Sequence, residues 1–441
     1  MKRSALCLLI MVMLAVTIFG CQRSPAPEML VEDQWFAGYP LLEIYTRAYS
    51  PEGTFKALEE DLPELQRAGL NNLWLMPIHP IGDAGRKGEM GCPYSVKDYF
   101  EAAEEYGTME DFASLVNAAH DLGMRVIIDM VINHSANDHV EMENHPDWYF
   151  HDSTGTFSRE VADWWDVTDW NFDNHEVWDY LEAALLYWVM DYNVDGYRCD
   201  VAGMVPDGFW QRVIPNVREI KPDFYMLAEW ETPQMAVNGF NSDYDWTLYH
   251  KMAAHRNSEA SLEDVWSAVE KYQNDYPQDF FPLRFIENHD QERAYAVFGD
   301  TYRAYASLIF TLPGIPLIYN GQEIGADHKP SLFEREPIDW EAGDEKILKT
   351  YQRLIDMRNK TEVLRTGALE RYLLPEGTEC LAFYRTSASD TAFVLINFSG
   401  EEVKIELPEA VASEYYIWGR KTDAPATETL PSCGYQVYLK K

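Results

Sequence analysis

Charged and amide side chains gather where apolar runs of the chain stop. Asp129, Asn133 and His134 follow Arg125-Val-Ile-Ile128, and Arg198 and Asp200 punctuate the run that opens at Gly196. Glu229 follows Met226-Leu-Ala228, and Asn288, His289 and Asp290 follow Leu283 to Ile286. Arg198 and Asp200 are two apart, so on a strand they share a side. The arginine holds the aspartate ionised by charge and hydrogen bonding. Glu229 sits in an apolar setting that raises its pKa and keeps its proton. One ionised and one protonated carboxyl are the two groups of a glycosidase. Taken singly, an Asp at a strand end is a helix cap or an ion-pair partner, and His134 is a structural donor. Recurrence of such residues at four strand ends is what points to chemistry.

The elements that must position these residues alternate in type. Phe55 to Ala68 reads as a helix and Asn72 to Met76 as a buried strand. Thr108 and Asp111 form a capping-box pattern, Phe112, Leu115, Val116, Ala119 and Leu122 share one helical face, and Gly123 ends the helix. Arg125 to Ile128 is near-continuously apolar, as buried parallel strands are. Val177, Leu181, Ala184, Leu185 and Trp188 line another helix. Strands are expected at Gly196 to Cys199, Tyr225 to Ala228, Leu283 to Ile286 and Ile315 to Tyr319, with Glu43 to Arg47 as the first. Such alternation predicts a parallel α/β fold, and a closed barrel and an open doubly wound sheet both satisfy it. No GxGxxG or GxxxxGK[ST] follows a strand, which weighs against nucleotide binding. In a parallel barrel the loops after the strands form one face, where active sites lie. About 45 residues rich in Trp, Asp, His and Asn separate Asp129 from the helix near Asn174, and connections that long are usually functional. From Leu364 the pattern becomes short strands without helices, such as Thr391 to Asn397 and Gly434 to Leu439, which predicts a β-sandwich.

Composition narrows the partners. Asp and Glu number 73 against 36 Lys and Arg, a formal charge of −37. That charge excludes binding nucleic acid through its phosphates and disfavours docking on anionic lipid. Aromatic residues are 14% of the chain, which on composition alone fits a large core ahead of a sugar-binding cleft. At the N-terminus Lys2 and Arg3 precede an apolar run from Ala5 to Phe19, the pattern of a signal peptide too short to span a bilayer comfortably. Ile18-Phe19-Gly20-Cys21 resembles a bacterial lipoprotein cleavage site, so the expectation is export and a lipid anchor on Cys21. An ordinary secretory signal is the alternative. Residues 22–33 read as a tether, and the membrane is met only through the lipid. No CxxC occurs, so a structural zinc site is not expected; whether Cys380 and Cys433 pair is open. No dimer interface is evident, and a monomer is the default.

Taken together, these segments resemble the α-amylase superfamily, glycoside hydrolase family thirteen. Asp129-Met-Val-Ile-Asn-His134 is similar to its DxxxNH segment, Gly196-Tyr-Arg-Cys-Asp200 to GxRxD, Glu229 to the acid on the next strand, and Phe285-Ile-Glu-Asn-His-Asp290 to FxxNHD. Gly314 to Glu323 resembles its eighth-strand segment and Gly69 to Pro77 its second strand. The likeness runs from about Leu41 to the C-terminus. It implies a (β/α)8 TIM barrel with a short B-domain insertion after strand 3 and a C-terminal β-sandwich. The implied division is a leader over 1–20, a tether over 21–33, barrel over 34–131 and 176–363, insertion over 132–175 and sandwich over 364–441.

The resemblance also implies roles. Asp200 would be the nucleophile, Glu229 the general acid and base, and Asp290 a stabiliser of the oxocarbenium-like state. Arg198 would orient Asp200. His134 and His289 would bond the sugar, Tyr94 would stack on it with Asp98 in support, and Trp230 would stack on a leaving-side sugar or pack as a wall. The substrate would be an α-glucan, with α-1,4 bonds expected and retention of configuration. A transglycosylase or sugar isomerase using the same intermediate, and an inactive glucan-binding lipoprotein, are the alternatives. The chain departs from the family pattern in three places. Cys92-Pro93 precede Tyr94 where His-Gly is usual, Gly203 and Met204 stand where Lys-His is common, and Ser50-Pro-Glu-Gly53 replaces an Asp-rich calcium loop. Asn133 and Asp169 match family calcium ligands, and oxygen donors suit that ion. The same two residues would equally brace the insertion.

Overall fold

The computed structural model describes residues 34–441. The expected leader, Cys21 and tether lie outside the described residues. Eight strands form the central sheet: β1 (Leu41–Ile44), β2 (Asn72–Leu75), β3 (Arg125–Met130), β4 (Gly196–Cys199), β5 (Tyr225–Ala228), β6 (Ser242–Asp243), β7 (Leu283–Arg284) and β8 (Ile315–Tyr319). Their order is β6-β5-β4-β3-β2-β1-β8-β7, and each paired neighbour runs parallel. Tyr244 bridges Leu283 in parallel, which joins β6 to β7 and closes the barrel.

Local chemistry accounts for the surrounding helices. Thr54 accepts from the Ala57 N–H at the start of Phe55–Ala68, and Gly69 ends that helix at φ +84°, a conformation that costs glycine little. The Thr108–Asp111 capping box opens Met109–Asp121 as expected. Asn174 caps His175–Tyr192. Each helix turns its apolar face inward, so the strands are buried on both sides and read as apolar runs.

The seventh barrel strand stops at Arg284 rather than Ile286, and two others differ further from expectation. The first is Leu41–Ile44 rather than Glu43 to Arg47. Tyr45 N donates to Asn320 Oδ1 instead of a ladder partner, and Thr46–Tyr49 winds into a helical turn. The sixth strand was not anticipated, because it is two polar residues long. Ser242 and Asp243 are nevertheless fully buried. Asp243 accepts from Tyr272 OH at 2.6 Å, Tyr276 OH at 2.8 Å and Thr232 N at 2.9 Å, so side chains supply what an apolar strand would not need.

Past the barrel, β9 (Ala368–Tyr372), β10 (Cys380–Thr386), β11 (Thr391–Asn397), β12 (Val403–Glu406), β13 (Tyr415–Ile417), β14 (Thr427–Leu430) and β15 (Tyr435–Lys440) follow. A five-stranded antiparallel sheet, β9-β10-β11-β15-β13, faces the pair β12-β14. Along β11, Phe393 and Leu395 enter the core between the sheets. Val394 and Ile396 face the barrel core, the period-two alternation of a strand covered on both faces. The segment is not free of helix: Glu409–Glu414 forms a short one after Pro408. The change of pattern at Leu364 falls inside the helix Glu362–Thr366. Cys380 and Cys433 are both unpaired thiols.

If Asp243 holds the closing strand, Asp243→Ala leaves two tyrosine hydroxyls and an amide unpartnered. The expected cost is about 2–3 kcal/mol in urea unfolding; a change below about 0.5 kcal/mol would contradict that role.

Candidate active site

Register along the barrel explains why the acids converge. Asp129 on β3 lies opposite Arg198 on β4, and both side chains turn inward near the C-terminal rim. Arg198 Nη1 donates to Asp129 Oδ1 at 2.8 Å, Asp129 Oδ2 at 3.0 Å and Asp200 Oδ1 at 3.0 Å. Its Nε donates to Tyr244 OH at 3.2 Å. Nη2 lies 2.9 Å from Glu229 Oε1, an ion pair whose angle falls outside that of a hydrogen bond. Arg198 has no exposed surface, and its guanidinium faces the Trp74 and Tyr94 rings at 5.3 and 5.4 Å.

One cation serving three carboxyls leaves them short of compensation. Burial pushes Asp200 up to about 6 against the opposing pull of Arg198, so the arginine does not hold it in the ordinary carboxylate range as its sequence position implied. Burial lifts Glu229 further, to about 7, again against Arg198. The order is the one a glycosidase needs, with Glu229 keeping its proton to higher pH than Asp200. Glu229 Oε2 accepts from Val201 N at 2.7 Å. Val201 is held at φ +36°, a strained conformation for a β-branched residue that aims its N–H at the carboxyl.

A second cluster stands beside the first. Tyr94 OH lies 3.1 Å from Asp129 Oδ2 and 2.8 Å from His289 Nε2, and the Tyr94 and His289 rings stack at 5.4 Å. His289 Nε2 is 3.2 Å from Asp290 Oδ2, and its Nδ1 bonds Glu43 on β1. Burial disfavours charge on His289, but Asp290 and Glu43 outweigh it and lift the imidazole to about 9. His134 is driven down to about 4 by burial, and its Nε2 lies 4.0 Å from Asp200 Oδ2. Glu43 was missed in the sequence, although a lone acid inside Leu41-Leu-Glu-Ile44 was a signal.

Asp200, Glu229, Asp290, Tyr94, His134 and His289 line one cavity of about 310 Å3, together with Cys92, Trp164, Asp166 and Phe333. Asp98 is not among its lining residues; it accepts from Phe100 N at 2.9 Å and holds the local turn. Trp230 is 38% exposed and lies flat on Gly203, where a Cβ would stand 2.2 Å from the indole. Glycine at the position of the family's lysine is what lets that ring lie there.

Asn133 and Asp169 sit at the base of an antiparallel hairpin, His134–Ala136 with Val167–Asp169. Asp169 Oδ1 has no partner, but Asp169 Oδ2 accepts from Glu160 N, and the Arg159 charge acts on the same carboxyl. Among the described residues no group of three or more His, Cys, Asp or Glu is arranged to hold a metal ion. Calcium requires six to eight oxygens, and a neighbouring guanidinium opposes a cation. Asp169 thus makes one bond that braces the insertion, and no step is assigned to a metal.

Residues 31–345 match the model of the alpha-amylase catalytic domain. The chain belongs to the alpha-amylase family. Alpha-amylase MalA of Haloarcula japonica is 30% identical over 424 residues, covering 90% of this chain and 61% of that protein. The chain thus spans less than two thirds of that relative's length. A cyclomaltodextrinase of a Bacillus species is 26% identical over 78% of this chain and 65% of its own length. Among solved structures, an alpha-amylase from Lactobacillus plantarum superposes with a TM-score of 0.85 at 29% identity, covering 92% of this chain and 99% of that one. The maltogenic alpha-amylase AmyB from Thermotoga neapolitana reaches 0.81 at 29% identity, covering 91% and 96%.

Because the folded value of Glu229 lies above that of a free side chain, its contribution favours the fold below the ordinary carboxylate range and fades as pH rises through about 7. Glu229→Gln has no such titration. Its stability relative to the parent should rise between pH 5 and pH 8 by about 1–3 kcal/mol in guanidinium unfolding; a difference that is flat with pH would show that the carboxyl is not raised.

Proposed function

We propose that the protein is a retaining glycoside hydrolase that cleaves α-1,4 bonds in starch-type glucans or maltooligosaccharides. The observation that carries this reading is the pair of carboxyls, Asp200 and Glu229, on adjacent nitrogens of one guanidinium. Two carboxyls held by one guanidinium stand close enough to act on one glycosidic bond, and retention, in which one carboxylate is the nucleophile, is the outcome that the likeness to glycoside hydrolase family thirteen implies. Family membership and the amylase relatives support the substrate class.

Asp200 presents Oδ2, the oxygen not engaged by Arg198, to the anomeric carbon. The glycosidic C–O bond breaks as the Asp200–carbon bond forms, and the Glu229 proton passes to the departing oxygen. Water then gives a proton back to Glu229 and attacks the same carbon, which frees Asp200. Asp290, 40% exposed at the cavity, is placed to bond hydroxyls of the distorted ring, and His289 donates beside it. The Tyr94 face is flat and apolar, which suits a sugar ring. With all three acids present in one cavity, an inactive binding protein is the weaker reading.

The same proposal includes export and lipidation at Cys21, supported by the run Ile18-Phe19-Gly20-Cys21. Gln34, the first described residue, lies with Pro222 to Phe224, Asn241 and Phe280, which precede β5, β6 and β7. A tether would therefore leave from the end of the barrel opposite the cleft, with the cleft turned outward.

Asp200→Asn should lose nearly all turnover of starch, by about 10^4-fold or more, while circular dichroism is unchanged; retained activity would overturn the nucleophile. Glu229→Ala should lose about 10^2–10^4-fold on starch but far less on an α-maltosyl fluoride, whose leaving group needs no proton. Equal losses on the two substrates would remove Glu229 from the role of acid. Labelled palmitate should enter the native protein and not Cys21→Ser when expressed in a bacterium; equal labelling would contradict lipidation there.

A further inference from the structure

The cavity is lined by Glu229 and, as a wall from other loops, by Lys87, Asp166, Leu332 and Phe333. Around the ring of eight strands, β5, which carries Glu229, stands opposite β1. The wall rises from the loops after β2 and β8, the two neighbours of β1. These loops are joined to each other by main-chain and side-chain bonds. Met90 N donates to Phe333 O at 2.9 Å, and Glu89 N to Glu334 Oε1 at 3.1 Å. Gly88 approaches so closely, at φ +63°, that a Cβ would meet Phe333 Cβ at 2.5 Å. From below, the buried Arg47 donates to Gly91 O at 3.0 Å and to Leu332 O at 2.8 Å.

The loop after β2 is also tied to the insertion after β3. Lys87 Nζ lies 2.8 Å from Asp166 Oδ1, and both side chains are mostly buried. The same ammonium stands 4.6 Å over the Trp165 ring, a cation–π contact. Asn137 Nδ2 donates to Ala84 O and Trp165 O. A pair that is this dry, and fixed on both flanks, does not open as a surface ion pair would.

Resting on the hydrolase reading above, the direction of the substrate follows from the acid. Glu229 protonates the leaving oxygen, so the leaving part of the chain extends toward β5. The part that becomes attached to Asp200 extends the other way, into the wall. A cavity of about 310 Å3 lies at the small end of ligand pockets, which suits a sugar ring at the acids more than a long run beyond it.

We propose that the cleft is closed on its non-reducing side by the Lys87–Asp166 bridge and the Phe333 loop. The enzyme then works from the non-reducing ends of α-glucans and releases a mono- or disaccharide. The test compares 4-nitrophenyl maltoheptaoside with the same compound carrying a 4,6-O-ethylidene acetal on its non-reducing glucose. The free-ended compound should be cut, with glucose or maltose as the first product. The blocked one should be cut at least about a hundredfold more slowly. Lys87→Ala should narrow that ratio, because it removes one side of the bridge. Blocked and free compounds cut at similar rates would overturn this inference alone, as would maltotriose or longer fragments as the first products from the non-reducing end. A ratio that is unchanged in Lys87→Ala would overturn the assignment of the closure to the bridge. No cleavage of either compound would overturn the glucan reading and this inference with it.

Discussion

The active site depends on one buried guanidinium. Among the described residues Arg198 is the one cation that contacts all of Asp129, Asp200 and Glu229, and all four groups lie where water is largely excluded. Removing charges from water costs several kcal/mol each. One positive charge cannot offset three negative ones, and the deficit appears as carboxyls pushed up out of their ordinary range. A protein that only needed stability would have put apolar groups there. Retaining the acids, and dividing one arginine among them, yields a carboxyl that gives up its proton and a neighbour that keeps it at the same pH.

The barrel makes such sharing feasible. Adjacent parallel strands bring Asp129 and Arg198 into register, and the chain after β4 and β5 brings Asp200 and Glu229 to the same rim. Strain is held at the same place, since Val201 adopts φ +36° and turns its N–H onto Glu229. That arrangement is tolerated because the surrounding barrel fixes both ends of the segment. The histidine on the far side follows a related logic with the sign reversed. Glu43 and Asp290 flank His289, so the imidazole carries a proton that it can donate in the cavity.

Much of this was legible in the residues themselves. Polar residues at the ends of apolar runs pointed to Asp129, Asp200, Glu229 and Asp290, because their recurrence at four strand ends, and not any one acid alone, marks chemistry. Strands of four or more apolar residues, such as Tyr225–Ala228 and Ile315–Tyr319, stand where their composition placed them. The strand Ser242–Asp243 was not legible, because its burial is made possible by Tyr272 and Tyr276 from a distant helix. The shared use of Arg198 was half visible: spacing paired it with Asp200, but nothing local reveals that Asp129 and Glu229 draw on the same guanidinium. The bond from Phe100 N to Asp98, which fixes the local turn, is likewise not visible in spacing alone. Closure of the cleft depends on Lys87, Asp166 and Phe333, three residues on three loops, whose proximity no local pattern encodes.

The central claim, that Asp200 forms the covalent bond while Glu229 handles the proton, is tested most directly by trapping. A 5-fluoro-α-glucosyl fluoride slows release of the glycosyl-enzyme, and proteolysis with mass spectrometry then locates the added mass. The account predicts a single adduct on the peptide containing Asp200, at its side chain. An adduct on Asp129, Glu229 or Asp290, or turnover with inverted configuration and no adduct, would contradict it.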